Sequence, residues 1–328
     1  MNADSAAAGE GPPVPRRYDL IVIGVSCTEE IIGVSSLPAL DSHREIAVLG
    51  RWRSVGGNGL NVAVYAAHLG SDVALISKVP KAISEEVDAA LDEAGVDSTF
   101  LVPELCRPAP DVLLVTDAVG DYSVLVSDRS GLAFTPDDIG AQAPLNARHL
   151  HIDGFTLGAL GSESQLQAGR RWIALAKSSP AALSIDLNRA ICDSQPRLVR
   201  EIVSQADILF ANAYEAEAVT GVVDVEAAAR QLVDAGARAV IVKDGAEGLV
   251  CATSQSMKRV PAFSLPVADS VGAGDGVVAG TLFGLARGLR LAEAARYGVA
   301  VAALVCTGHG SQGAVFDAAD VARLLEKT

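Results

Sequence analysis

The chain is poor in aromatic side chains, 4% of 328 residues with only two tryptophans, Trp52 and Trp172. That argues against a row of rings on which unpaired nucleic-acid bases could stack. Basic residues are also scarce, 26 Lys and Arg against 40 Asp and Glu, for a formal net charge of -14. A general attraction to nucleic acid or to an anionic membrane is therefore disfavoured, and a phosphate-bearing ligand needs a local positive site built from backbone N–H groups, a metal ion or a few placed lysines. No stretch approaches the roughly 18 continuous apolar residues of a membrane-spanning helix. The five cysteines, Cys27, Cys106, Cys192, Cys251 and Cys306, are far apart with no CxxC spacing. They read as reduced thiols of a cytosolic protein rather than as a disulfide framework or a zinc site. No Gly-Lys pair occurs anywhere, which excludes a Walker phosphate loop.

What is present is core material. Half of the residues are hydrophobic, enough for one large α/β domain or two small ones. The first seventeen residues, MNADSAAAGEGPPVPRR, are small, polar and Pro-rich; they fit neither a signal peptide nor an anchor and are expected to form a flexible tail, 1–17, ahead of one domain, 18–328. From Tyr18 onward, short β-branched runs alternate with helical periodicity, which predicts a mostly parallel sheet covered by helices. Expected strands are 19–24, 73–77, 148–153, 182–187, 207–211 and 239–243, and expected helices are 59–69, 84–94, 162–177, 196–205 and 225–235. Two stretches, 31–54 and 111–128, carry strand-like residues without an intervening helix. They read either as a small second sheet over one edge of the main one or as two surface hairpins.

Three segments can carry chemistry. In ADSVGAGDG, the small residues Gly272, Ala273 and Gly274 let the backbone curl ahead of an apolar run with helical spacing. A glycine turn opening a helix presents unpaired N–H groups to an anion. Asp275, in the first turn, is then either a charge satisfying the helix dipole or a base aimed at a hydroxyl beside a phosphate. In VGGNGLNVAVYAAHLG, Gly56 and Gly57 precede a helix with Asn61 on its first turn. Glycines allow close approach of a ligand and a carboxamide can bond two vicinal hydroxyls, but a helix cap explains the pattern as well. In DILFANAYEAEAVTG, Asn212 and Glu215 sit three apart where a helix follows a buried strand. That spacing serves a capping arrangement or holds the water shell of Mg²⁺.

In this order and spacing the three segments resemble the PfkB family of carbohydrate and nucleoside kinases, over about Tyr18 to Ala314. DSVGAGD resembles the family's D-T-x-G-A-G-D signature, the N-x-x-E pair its magnesium and phosphate motif, and the Gly-Gly with Asn its sugar-binding signature. The resemblance implies a ribokinase-like three-layer α/β/α sandwich with a small β-sheet lid, often the contact of a homodimer. It also implies a cytoplasmic phosphotransferase that uses ATP and Mg²⁺ to phosphorylate a primary hydroxyl on a sugar, sugar derivative or nucleoside. By position, Asp275 is the base and Gly272, Ala273 and Gly274 the anion hole. Asn212 and Glu215 organise Mg²⁺ through water, and Lys243, Gly245, Gly248 and Ser270 lie at the nucleotide. Glu29, Gly56, Gly57, Asn61, Asp186 and Asn188 face the acceptor. A monovalent cation, K⁺, is implied near Asp269 and Val271, with backbone oxygens around Val305, Gly308 and Gly310.

The chain also departs from the family pattern. Glu29 stands where many relatives carry Asp, Ser270 replaces Thr, and SKVPKAISEEV stands where a glycine and aspartate turn is usual. The last change removes a customary hydroxyl contact and leaves open a catalytically silent relative that binds ligand or scaffolds, although the intact GAG turn with Asp275 argues against it. An NAD-linked oxidoreductase rests only on GHGSQG, Gly308 to Gly313, which lies too close to the C-terminus for a βαβ unit. His149 and His151 alternate along a strand with no third ligand at metal spacing, and read as two satisfied histidines. The scarcity of aromatics favours a sugar over a nucleoside.

Overall fold

The computed structural model describes residues 17–38, 45–117, 120–140 and 145–326. The expected tail thus lies outside the described residues except for Arg17. In chain order the strands are β1 (Tyr18–Ile23), β2 (Cys27–Val34), β3 (Val48–Gly56), β4 (Val73–Ile76), β5 (Lys78–Pro80), β6 (Val102–Glu104), β7 (Val112–Thr116), β8 (Tyr122–Val126), β9 (Ala147–Asp153), β10 (Ala182–Asp186), β11 (Ile208–Asn212), β12 (Ala239–Lys243), β13 (Leu249–Thr253) and β14 (Met257–Val260). The α-helices are α1 (Asn58–His68), α2 (Ser84–Ala94), α3 (Glu163–Ser178), α4 (Arg189–Ser194), α5 (Pro196–Gln205), α6 (Ala213–Thr220), α7 (Val225–Asp234), α8 (Ala273–Ala286), α9 (Leu291–Val305) and α10 (Ala318–Glu326).

The main sheet runs β14-β13-β12-β11-β10-β9-β1-β4. Its strands from β4 to β12 are parallel, and the β13–β14 hairpin continues it antiparallel. Successive side chains of a strand point to opposite faces, and here each face meets its own core. Ile21 and Ile23, with Leu209 and Ala211, join one cluster, while Leu20 and Val22, with Ile208 and Phe210, join the other. A sheet buried on both faces needs the near-continuous Val, Ile and Leu runs that these strands show. Helix ends follow local chemistry: Ser162 and Asp224 cap α3 and α7, and glycines in the left-handed region, Gly95 and Gly221, close α2 and α6.

The two helix-free stretches form one sheet, β3-β2-β7-β8, because β2 pairs parallel with β7 across the chain. Its strands reach further than the expected 31–54, since the β2–β3 ladder continues to the pair Cys27 and Gly56. The extension carries Glu29 and Gly56 into this lid. It docks on the turn before α8 through Ile31, Leu114, Trp52 and Val271 and through the Ser270 hydroxyl donating to the Gly120 carbonyl at 2.6 Å, and on the segment after α9 through Trp52 stacked on His309 with ring centroids 4.1 Å apart.

Two further details differ from expectation. The SKVPKAISEEV segment forms β5, a short turn and α2, and Lys78 is buried in ion pairs with Glu104 at 3.0 Å and Asp138 at 2.9 Å. Its charge therefore ties the framework together. Of the two strand histidines only His151 is satisfied, by Ser184 at 3.1 Å; the buried Nδ1 of His149 has no hydrogen-bond partner among the described residues. No helix among them is long and apolar enough to cross a membrane.

Candidate active site

The site grows from the start of α8. This helix is buried nearly all round and sinks against α9 along a seam of small residues: Cβ atoms built at Gly276, Gly280 and Gly284 would lie 3.1, 2.7 and 2.8 Å from backbone atoms of α9. Such contact fixes the height of its first turn. Gly272 caps the helix with φ 80°, and a Cβ there would lie 2.5 Å from the Tyr65 hydroxyl. Both conformation and space require glycine. The first helical bond runs from the Gly276 N–H to the Gly272 carbonyl at 2.9 Å, and the Ala273 N–H turns back to Ser270 at 3.2 Å. Of the turn expected to bind an anion, Gly272 is thus the cap and Ala273 closes the curl, while the N–H groups of Gly274 and of the following Asp275 belong to the first helical turn, where no acceptor lies further back in the helix.

Asp275 follows on that turn, 5% exposed. Its Oδ1 accepts from the Asn58 amide at 2.9 Å and its Oδ2 from the Asn61 amide at 2.8 Å, both on the first turn of α1. Burial pushes the carboxyl up to about 7, against the pull of the two amide donors. Asn61, expected on acceptor hydroxyls, is thus committed to Asp275, and its own oxygen accepts from Gln312 at 2.8 Å. Asn58 is a partner that sequence reading missed, although it stands in the quoted GGNGLN string.

At the carboxyl ends of the central strands, the Lys243 ammonium lies 2.8 Å from both oxygens of Asp186. A Cβ built on Gly274 would lie 3.4 Å from the Lys243 Nζ, so this cation stands against the glycine turn. Burial alone would pull the Lys243 amine down, but Asp186 and Glu215 hold it above its ordinary value. Asn212 and Glu215 form a reciprocal cap of α6, each side chain accepting from the other's backbone N–H at 2.8 Å. Burial raises the Glu215 carboxyl to about 7 in spite of nearby Lys243. Asn188 caps α4, accepting from the Ala190 N–H at 2.9 Å. Gly245 and Gly248, both at positive φ, shape the β12–β13 turn beside Lys243.

On the lid side, Glu29 is buried and accepts from the Gly57 N–H at 3.2 Å and the Ser311 hydroxyl at 3.0 Å. A Cβ on Gly56 would fall 2.3 Å from its carboxyl carbon, so the double glycine makes room for this longer acid. Asp269, fully buried, accepts from the N–H groups of Val271 at 3.0 Å and Gly310 at 2.7 Å. Tyr122, on the edge strand of the lid, was not foreseen. The residue is 44% exposed, yet desolvation, with the charges of Asp275 and Glu29, pushes the phenol up. The described residues hold no cluster of three His, Cys, Asp or Glu fit for a metal ion.

A lid sheet docked over a helix that opens on such a turn is the plan of ribokinase-like kinases, and solved structures share it. Adenosine kinase from Sinorhizobium meliloti matches with a TM-score of 0.79 at 22% identity, over 94% of this chain and 100% of that one. A putative ribokinase II from E. coli, solved with ATP and Mg²⁺, matches with a TM-score of 0.79 at 18% identity, over 95% and 100%. In sequence, 1-phosphofructokinase of Rhodobacter capsulatus is 32% identical over 260 residues, 75% of this chain and 77% of the relative; cytidine kinase of Thermococcus kodakarensis is 29% identical over 254 residues, 74% and 84%. The pfkB family carbohydrate kinase pattern matches residues 23–317, and the chain belongs to that family. It is a phosphotransferase with an alcohol acceptor, of the kind that acts on sugars or nucleosides.

Proposed function

We propose that the protein transfers the γ-phosphoryl group of ATP to a primary hydroxyl of a sugar or sugar derivative, with Asp275 as the base. The observation that carries this reading is one juxtaposition: a desolvated carboxyl near neutral pKa adjoins first-turn amides and the Lys243 ammonium at the same glycine turn. A base poised near the working pH can take a hydroxyl proton and still be ionised at rest. Bound ATP and Mg²⁺ supply the phosphoryl group and neutralise its oxygens. Asp275 would orient the acceptor hydroxyl and receive its proton, while Gly274, Asp275 N–H and Lys243 hold the charge that gathers on the transferring group.

The donor set fits a magnesium ion held at one remove. Glu215 is tied to the backbone N–H groups of Asn212 and Arg189, so it and Asn212 would act on metal-bound water. K⁺ fits less well. The Asp269 carboxylate already accepts from two amides, so the ion would rest on main-chain oxygens around Val271, Val305, Gly308 and Gly310, and no step is routed through it. The lid exposes Val48, Leu49, Val124 and Leu125, which supports a homodimer through this sheet. The free thiols accord with the cytoplasm.

The test is a coupled assay of ADP release with the purified chain across neutral sugars, sugar derivatives and nucleosides, with and without EDTA. Turnover of a sugar or sugar derivative that stops on chelation is expected. Full activity in excess chelator, or a preference for nucleosides, would overturn the reading.

A further inference from the structure

We propose that Arg129 reads an anionic group, a carboxylate or a phosphate, on the acceptor and so sets the specificity of the cleft. The proposal rests on the kinase reading above and adds the class of acceptor. Arg129 follows β8 where the chain leaves the lid, and it is partly buried. Its guanidinium lies over the ring of Phe155, 5.0 Å from the centroid. Phe155 belongs to the loop just past β9, at the carboxyl end of the sheet, where the neighbouring Gly154 is packed against the backbone of Asn188 and Asp186. Arg129 also lies close enough to the thiol of Cys27 to oppose the rise that burial and Glu29 impose on it, and the same thiol feels Asp275. One guanidinium therefore lies over the loop after β9 and near the first residue of β2, whose thiol also feels the charge of Asp275.

Other buried cations of the framework are matched. Lys78 has Glu104 and Asp138, and Lys243 has Asp186. Among the described residues no ion pair or hydrogen bond engages the Arg129 side chain, and its neighbour Asp128 is turned to the N–H and hydroxyl of Ser130, both at 2.8 Å. A guanidinium carries five N–H donors in a rigid fork and stays charged when partly desolvated. The cation–π contact with Phe155, 5.0 Å from the ring centroid, uses none of those donors. The carboxylates nearby are engaged: Asp153 accepts from the N–H groups of Val25 and Thr156, and Glu29 from Gly57 and Ser311. A ligand oxyanion is the group that fits, because two parallel charge-assisted bonds match the fork. Lys243 faces the phosphoryl turn and Arg129 the acceptor, so the two cations serve opposite ends of the reaction.

The experiment compares kcat and KM for wild type, Arg129→Gln and Arg129→Lys on fructose, ribose and adenosine as neutral acceptors, gluconate as a carboxylate, and fructose 1-phosphate and fructose 6-phosphate as phosphates. The highest kcat/KM is expected within the anionic set, and the gluconate and phosphate arms tell the two sources apart. Arg129→Gln should raise KM for that acceptor by about 10- to 100-fold, the range of a lost bond to a charged group. Its kcat and its KM for ATP should change far less, and Arg129→Lys should recover part of the loss. A neutral acceptor preferred by wild type, with KM unmoved by Arg129→Gln, would overturn the proposal. If wild type turns over no acceptor, the kinase reading fails, and calorimetric titration with gluconate and fructose 1-phosphate decides this one. Binding that Arg129→Gln loses sustains it; equal binding, or none to wild type, refutes it. Thermal melting of both variants guards against misfolding as the cause.

Discussion

Replacing Asp275 by Asn separates a base from a helix-dipole charge, because the two roles move rate and stability in opposite ways. An amide keeps the size of the side chain but cannot take a proton, and a positioned base contributes about 10² to 10⁴ in rate, roughly 3 to 5 kcal/mol of barrier. Stability should respond differently. Burial lifts this carboxyl from its ordinary value of 3.8 to about 7, so between those values the folded protein holds a proton that the unfolded chain releases. Stability contributed by this site therefore falls as pH rises through that window and stays low above about pH 7. About three pKa units correspond to roughly 4 kcal/mol of cost for the ionised form at pH 8. Asn removes that cost but leaves one of the two amide donors, on Asn58 or Asn61, facing another NH₂, a loss of about 1 to 3 kcal/mol. The variant should accordingly melt no lower than wild type at pH 8 while kcat drops at least a hundredfold with ATP still bound. Steady-state kinetics, melting and calorimetry on the one variant read all three. A kcat above about a tenth of wild type, joined to a lower melting temperature, would refute the base and restore the dipole role.

Lys243→Gln should destabilise the fold by about 3 to 5 kcal/mol, since it strands Asp186 as a buried unpaired charge; urea denaturation should show much of that loss recovered in the Lys243→Gln, Asp186→Asn double variant, and equal loss in both would mean that the pair is not coupled. Gly272→Ala places a Cβ at φ 80° and 2.5 Å from the Tyr65 hydroxyl, so it should cost at least about 1 to 2 kcal/mol and lower kcat; unchanged melting and unchanged kcat would show that the turn tolerates a side chain. Sedimentation should find wild type a dimer and Leu125→Glu a monomer, and a monomeric wild type would remove the lid contact.

The sheet was legible because its strands are buried on both faces and must be written as β-branched apolar runs. The expected 239–243 coincides with β12, and the other five expected strands match to within a residue or so at either end. The β13–β14 hairpin was missed, since CATSQSMKRV carries neither a long apolar run nor a strict alternation. The lid was legible only as helix-free sequence. Whether two hairpins or one sheet forms depends on the parallel pairing of β2 with β7, a contact between residues far apart that no local pattern encodes.

For the site, the sequence by itself determined which residues are chemically able: a glycine turn, an acid after it, an amide early in α1 and a lysine at a strand end. Only the tertiary structure decided what each one touches. Asn61 faces Asp275, Glu29 lies buried under the double glycine, and Asn212 and Glu215 cap each other. Arg129 had no motif to mark it; its meaning comes from Phe155, Cys27 and the absence of a carboxylate on its fork among the described residues. Motifs are short-range because they record the backbone geometry of one turn. The shift of Asp275 to about 7 is a long-range quantity, set by how completely α1, α8 and α9 exclude water around one carboxyl, and that belongs to the packing of the whole chain.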